Sequence, residues 1–193
     1  MLSLCVYLRQ FTLINTQTAA LTAVKMIDRR ISELCQAGMM RPFNKDCVQP
    51  CSYDVHLGEN ALLETESGFQ EVCLNKYTGS NPFWLYPNEF LLGETQEYVS
   101  LPHNVEAHLH LVSSRAREGL NHSLAGLVDC GWRGVLTLEV KNILQYNRIA
   151  LYPGLRIAQL TFFEYSEYAQ KGYKGRYWGD DKVSGYKRQS SSN

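Results

Sequence analysis

Ser113, Ser114, Arg115, Arg117, Asp129 and Glu139 fall within residues 113–142, separated by glycines. Ser113-Ser114-Arg115-Ala116-Arg117-Glu118-Gly119 follows an apolar run that ends at Val112. Serines, a glycine and basic residues after a strand suit phosphate binding, because main-chain N–H groups, hydroxyls and guanidiniums converge there. The same residues also read as a polar helix start with serine as its cap. Further on, Ala125 to Gly134 reads as strand, tight turn, strand, with Asp129 before the turn and Trp132 after it. In Val135–Val140, strand alternation puts Val135, Thr137 and Glu139 on one face. A glutamate in a strand is ordinarily a solvated outward residue. Partly shielded from water, such a carboxyl could pass a proton in both directions. As a set, these residues can hold a phosphorylated ligand and move a proton beside it.

Short strands are expected to position them. Apolar or alternating runs recur at Tyr53–Leu57, Phe83–Tyr86, Phe90–Thr95, Ala107–Val112, Val135–Val140, Ile149–Leu151 and Ile157–Phe163. Turn signals such as Tyr86-Pro87-Asn88, Leu101-Pro102-His103 and Tyr152-Pro153-Gly154 separate them. Many short strands without intervening helical patterns predict a mainly β fold, a jelly-roll-like barrel or sandwich. One short N-terminal helix is expected, with Asp28 as N-cap, Ile31, Leu34 and Cys35 on one side, and an end near Gly38. From Lys171 onward, Gly, Lys, Arg, Tyr and Trp interleave, which is poor core material. Such a tail reads either as a frayed end or as a lid over a bound ligand.

At 193 residues the chain is expected to form one domain with a real hydrophobic core. Nineteen basic residues balance nineteen acidic ones, so no global field draws the protein to nucleic acid or membrane and a small ligand is the expected partner. Six irregularly spaced cysteines in a chain of this size read as free thiols in a reducing compartment, which points to the cytoplasm. No apolar run approaches the roughly 18 residues of a membrane span. Met26-Ile27-Asp28 reads as a natural start, so residues 1–25 are taken as an upstream extension, 26–167 as the β domain and 168–193 as the lid or tail.

Five segments, in order, resemble the trimeric dUTPase and dCTP deaminase superfamily. They are Ser52-Tyr53-Asp54 with Leu57-Gly58; Ser113-Ser114 with Ala116-Arg117; Asp129-Cys130-Gly131-Trp132; Gly154 with Ile157, Gln159 and Leu160; and Tyr168 with Arg176-Tyr177-Trp178-Gly179. The resemblance implies a distorted jelly-roll or β-barrel of the dUTPase-like type. Asp54 would be structural, Asp129 and Trp132 would line a deoxyribose pocket, and Trp132 would exclude a 2′-hydroxyl. Ser114, Arg115, Gln159, Tyr168, Arg176 and Tyr177 would join them in holding the nucleotide. Gln159 is a polar side chain in an apolar run and would want a partner such as a phosphate.

The segment Leu138-Glu139-Val140-Lys141-Asn142 resembles the dCTP deaminase version of the fold. There the glutamate is the proton shuttle, a feature that ordinary dUTPases lack. The His-x-Glu…Pro-Cys-x-x-Cys signature of zinc deaminases does not occur in this chain. The resemblance therefore implies zinc-free hydrolysis of dCTP to dUTP and ammonia, supplying dUTP for dTMP synthesis. Mg²⁺ would ride on the triphosphate. Glu139 would carry the proton, Ser113 and the Ala125 carbonyl would align water, and Arg117 would steady the ring. A homotrimer with sites at subunit interfaces is also implied, with Ser113, Ser114 and Arg117 facing Glu139 of a neighbour.

Several positions depart from the family pattern. Val112 precedes the serines where a basic residue or glycine is common, and Asp180 stands where Gln is expected. Leu124 replaces a Thr tied to dTTP feedback. Gly126, rather than His, follows Ala125, as in members that continue to dUMP and pyrophosphate. That bifunctional reaction is the alternative reading, and a catalytically silent nucleotide-binding regulator is a third.

Overall fold

The computed structural model describes residues 22–122 and 125–187. Cys5 and the extension up to Leu21, Leu124, and the Gln189–Asn193 end lie outside the described residues. The described residues open with β1 (Ala23–Lys25) and helix α1 (Asp28–Leu34), which runs into a π-type turn at Cys35–Met39. There follow β2 (Met40–Arg41), β3 (Val48–Gln49), β4 (Ser52–Thr65), β5 (Gly68–Cys73), β6 (Phe83–Leu85), β7 (Phe90–Ser100) and β8 (Val105–Leu111). Helix α2 (Ser113–Arg117) leads to β9 (Leu120–His122), β10 (Leu127–Val128), β11 (Arg133–Asn142), β12 (Ile149–Leu151) and β13 (Arg156–Tyr165).

The architecture is mainly β, as the short alternating runs predict. One curled antiparallel sheet has the order β10-β8-β13-β4-β7-β11-β9, with β1, β2, β3 and β5 added at its flanks, and β6 and β12 form a separate pair. β4 turns the corner of the barrel. Tyr53–His56 pairs with β13, while Leu57–Leu63 pairs with β7. Gly58 sits just past this switch, in the register break between Leu57 and Ala61, where a Cβ would stand only 2.6 Å from Glu94 Cγ. The corner therefore needs a residue without a side chain.

Alternation fills the interior. Tyr53, Val55 and Leu57 on β4, Leu138 and Val140 on β11, and Ile157, Leu160 and Phe162 on β13 are fully buried. Each such side chain contributes about 1.5–3 kcal/mol by leaving water. α1 covers one end of this core with Ile31, and Arg30 forks onto Glu164 of β13 at 2.7 and 2.9 Å.

Three features depart from the reading of the sequence. Asp28 is the first helical residue rather than the cap; Ile27 holds the extended cap conformation, and the Asp28 carboxylate instead accepts the Arg29 N–H at 2.7 Å. β5 does not correspond to any expected strand, because its residues are mostly exposed and carry no apolar alternation. Finally, Ala23–Lys25 of the expected extension pair with Phe163–Tyr165, so the sheet begins ahead of Met26.

Candidate active site

β11 supplies the central carboxylate. Leu136, Leu138 and Val140 are buried, while Val135, Thr137 and Glu139 are half-buried on the opposite face. Glu139 lies opposite Leu92 of β7 and is held in register by β7 on one side, with β9 pairing the end of the strand on the other. Its side chain lines a cavity of about 510 Å³ together with Thr137, Ala125, Asp129, Trp132 and Tyr173. That volume falls within the usual range for small-molecule sites.

The turn before β11 sets the next wall. Trp132 N–H donates to the Asp129 carbonyl at 3.1 Å, and Gly131 takes the left-handed φ of +81° that this turn requires. Trp132 is steadied in two ways: its Nε1 donates to the Gly134 carbonyl at 3.3 Å, and its ring packs against Tyr173 at 5.3 Å. Asp129 borders both this cavity and a second one of about 590 Å³ that also holds Glu106, Cys130 and Tyr168. Burial, reinforced by the Glu106 and Asp129 carboxylates, pushes the Cys130 thiol up.

The tail folds back over the site. Tyr173 N–H donates to Cys130 O at 2.8 Å, Gly179 N–H to Arg133 O at 2.7 Å, and Val135 N–H to Asp180 O at 2.9 Å. Trp178 Nε1 reaches the Gly131 carbonyl at 3.2 Å. Tyr177, Ser184, Gly185 and Tyr186 thereby border the Glu139 cavity. Asp180, at the position where the family pattern has Gln, closes the tail on itself: its carboxylate takes Lys187 Nζ at 2.6 and 2.8 Å and Ser184 Oγ at 2.7 Å.

Glu139, Ala125, Asp129, Trp132 and Tyr177 thus line one cavity, and the other candidate residues lie outside it. Ser113, Ser114 and Arg117 are exposed on α2, a helix of five residues. Arg115 pairs with Glu118 at 2.6 Å, and its buried Nε finds no hydrogen-bond partner among the described residues. Gln159 Oε1 accepts from Ser52 Oγ at 2.9 Å, so its polar end already has a partner within the fold. Tyr168 is exposed beside the second cavity, and Arg176 reaches the Lys187 carbonyl at 2.5 Å. Asp54 is buried and accepts from Gln49 Nε2 and Arg156 Nη1, both at 3.0 Å, which is the structural use expected of it.

Sequence reasoning did not single out Tyr173 or Ser184–Tyr186. The one available signal was an aromatic within a glycine-rich basic tail, and that signal is shared by Tyr168, Tyr177 and Trp178. Among the described residues, no group of three or more His, Cys, Asp and Glu side chains stands where it could hold a metal ion. None of the described helices is long and apolar enough to cross a membrane.

Residues 24–165 match the family model described as dCTP deaminase-like. The chain is 38% identical over 159 residues to a protein of Leifsonia xyli named "dCTP deaminase, dUMP-forming", covering 76% of this chain and 79% of that one. A protein of the same name from Nanoarchaeum equitans is 35% identical over 182 residues, covering 78% of this chain and 90% of the relative. Among solved structures, the 2′-deoxycytidine 5′-triphosphate deaminase of Agrobacterium tumefaciens superposes with a TM-score of 0.62 at 20% identity. That match covers 74% of this chain and 48% of the other, so this chain spans about half its length, and the likeness speaks for the fold alone. With the family model matched over most of its length, the chain belongs to the dCTP deaminase-like family.

Proposed function

We propose that this chain hydrolyses dCTP at C4 of the cytosine, in the cavity that Glu139 shares with Asp129 and Trp132. The observation that carries the reading is the placement of Glu139. It is a strand carboxylate turned into a nucleotide-sized cavity beside an aromatic and an aspartate, where an outward-facing glutamate would have been solvated. Water adds to C4 as Glu139 takes its proton and hands it to N3; the carboxylate then takes the proton of the new hydroxyl and delivers it to the amino nitrogen. The C4–N bond breaks and ammonia leaves, so dCTP plus water becomes dUTP plus ammonia. A positioned carboxyl that gives and takes one proton is worth typically 10²–10⁴-fold in rate. In this reading Trp132, braced by Tyr173, lies beneath the sugar and excludes a 2′-hydroxyl.

Within one chain, Ser113, Ser114 and Arg117 do not line the Glu139 cavity. Hydroxyls and guanidiniums left exposed on α2 suit a homotrimer in which they complete a neighbour's site, aligning water and steadying the developing charge. Mg²⁺ is supplied with the triphosphate. Magnesium dehydrates reluctantly and binds through substrate phosphates more readily than in an all-protein cage.

The product is proposed to be dUMP and pyrophosphate, with dUTP as an enzyme-bound stage: a second water attacks the α-phosphorus, the bond from it to the bridging oxygen of the β-phosphate breaks, and dCTP plus two waters becomes dUMP, pyrophosphate and ammonia. Two features favour this over release of dUTP. The relatives from Leifsonia xyli and Nanoarchaeum equitans carry the words "dUMP-forming", and Gly126, rather than His, follows Ala125, as in family members that continue to dUMP; a Cβ there would lie 2.9 Å from Leu109 O. The test is purified protein with dCTP or dUTP and Mg²⁺, followed by chromatography of the products. dUMP from dCTP supports the reading, accumulation of dUTP restricts it to deamination, and binding without turnover overturns it.

A further inference from the structure

Glu94 of β7 is a buried carboxylate that does not belong to the cavity lining. It is 6% exposed, and among the described residues its carboxylate oxygens accept hydrogen bonds from Asn60 and Val183. Oε1 accepts Asn60 Nδ2 at 2.7 Å and Asn60 N–H at 3.2 Å. Oε2 accepts the N–H of Val183, in the tail, at 2.8 Å. A carboxylate this deep is tolerated only when its oxygens are satisfied, and bonds from N–H groups to a charged acceptor are the strong ones. One of its two oxygens is committed to the tail.

Val183 is itself buried at 6%, and the three residues after it, Ser184, Gly185 and Tyr186, border the Glu139 cavity. The stretch from Asp180 to Lys187 is stapled internally by the Asp180 carboxylate, so it behaves as one unit. Main-chain bonds to β11 hold its start, and Glu94 holds its middle at the point where the chain turns toward the cavity.

We infer that Glu94 is a positioning residue for the reaction: its carboxylate latches the Val183 amide and so fixes the Ser184–Tyr186 wall of the nucleotide cavity. The inference rests on reading that cavity as the dCTP site. Glu94 touches no reacting atom and acts through the tail.

The test uses the full chain with Glu94→Ala, Glu94→Gln and Val183→Pro, the last of which deletes the donated N–H without touching the sheet. In Glu94→Ala the amides of 183–186 should exchange at least about tenfold faster, and KM for dCTP should rise about tenfold while kcat falls less than about threefold, the pattern of lost binding contacts. Glu94→Gln, which keeps an acceptor oxygen, should recover most of that KM. Val183→Pro should reproduce the defect, and the double variant Glu94→Ala/Val183→Pro should be no worse than either single, because both remove the same bond. Unchanged exchange and KM in Glu94→Ala, or additive defects in the double variant, would overturn the latch. If the unaltered protein fails to turn over dCTP, the functional reading falls separately, and amide exchange still decides whether Glu94 holds the tail. Should Glu94→Ala fail to fold, Val183→Pro carries the test: wild-type exchange and KM in that variant overturn the proposal.

Discussion

The Asp180 carbonyl oxygen lies 2.7 Å from the point that a Cβ on Gly134 would occupy, and it accepts the Val135 N–H at 2.9 Å. The tail thus docks on β11 through a gap that only glycine leaves open, at a φ of +143° that L side chains rarely adopt. Gly134→Ala is expected to lift the tail from β11. Limited trypsin digestion should cleave the variant at the tail lysines at least about fivefold faster than the unaltered protein, a measure of local opening. Equal cleavage rates would show that the docking does not depend on this contact.

Trp132 is expected to set the sugar preference. Its ring is fixed by Tyr173 and by its own Nε1 bond to Gly134 O. Trp132→Ala should lower the ratio of kcat/KM for dCTP over CTP by at least about tenfold, or ~1.4 kcal/mol of discrimination. An unchanged ratio would place the discrimination elsewhere.

The separation of α2 from the Glu139 cavity makes a different prediction. Arg117→Ala and Glu139→Gln proteins, each inactive alone, should regain activity when mixed under conditions that allow subunits to exchange. A trimer with interface sites then contains sites in which both residues are intact. Absence of any regained activity, with exchange demonstrated, would place the whole site within one chain.

Stability should depend on pH through a histidine face. Burial, then His110, holds the His122 imidazole below its ordinary value, and burial, then His108 and Lys25, does the same for His110. His122 Nε2 finds no hydrogen-bond partner among the described residues. Since the folded-state values lie below the ordinary 6.5, the unfolded chain takes up protons first as pH falls. The full stability is present above that value and is lost progressively below it. Thermal unfolding followed from pH 8 to pH 5 should show Tm falling below about pH 6.5, and His122→Gln should flatten the slope. The Arg30 guanidinium holds the Glu164 carboxyl below its ordinary 4.5, so that pair should weaken only at lower pH.

The sequence made the β11 face legible because alternation alone fixes which residues share it: Thr137 and Glu139 point one way, and Leu136, Leu138 and Val140 the other. The turn at Gly131 was legible for a similar reason, since a glycine between Asp129 and Trp132 marks a left-handed position. The tail was not legible. Its hold on the barrel rests on main-chain donors at Gly179, Val135 and Val183 and on a carboxylate 89 positions earlier in the chain, none of which leaves an apolar period. Tyr173 and Tyr168 look equivalent in sequence; the Cys130 carbonyl, which draws in the Tyr173 amide, and the Trp132 ring, against which Tyr173 packs, separate them. The Ser52 hydroxyl on Gln159 was hidden likewise, because it arises from the pairing of β4 with β13.

The account turns on Glu139 as the group that moves the proton. Glu139→Gln keeps the shape and the strand position while removing the titratable oxygen, so ammonia release from dCTP in the presence of Mg²⁺ should be abolished. The affinity for dCTP, measured by calorimetry on the same protein, should stay within about tenfold of the unaltered value, a difference of ~1.4 kcal/mol or less. Ammonia released at the normal rate by this variant would contradict the mechanism.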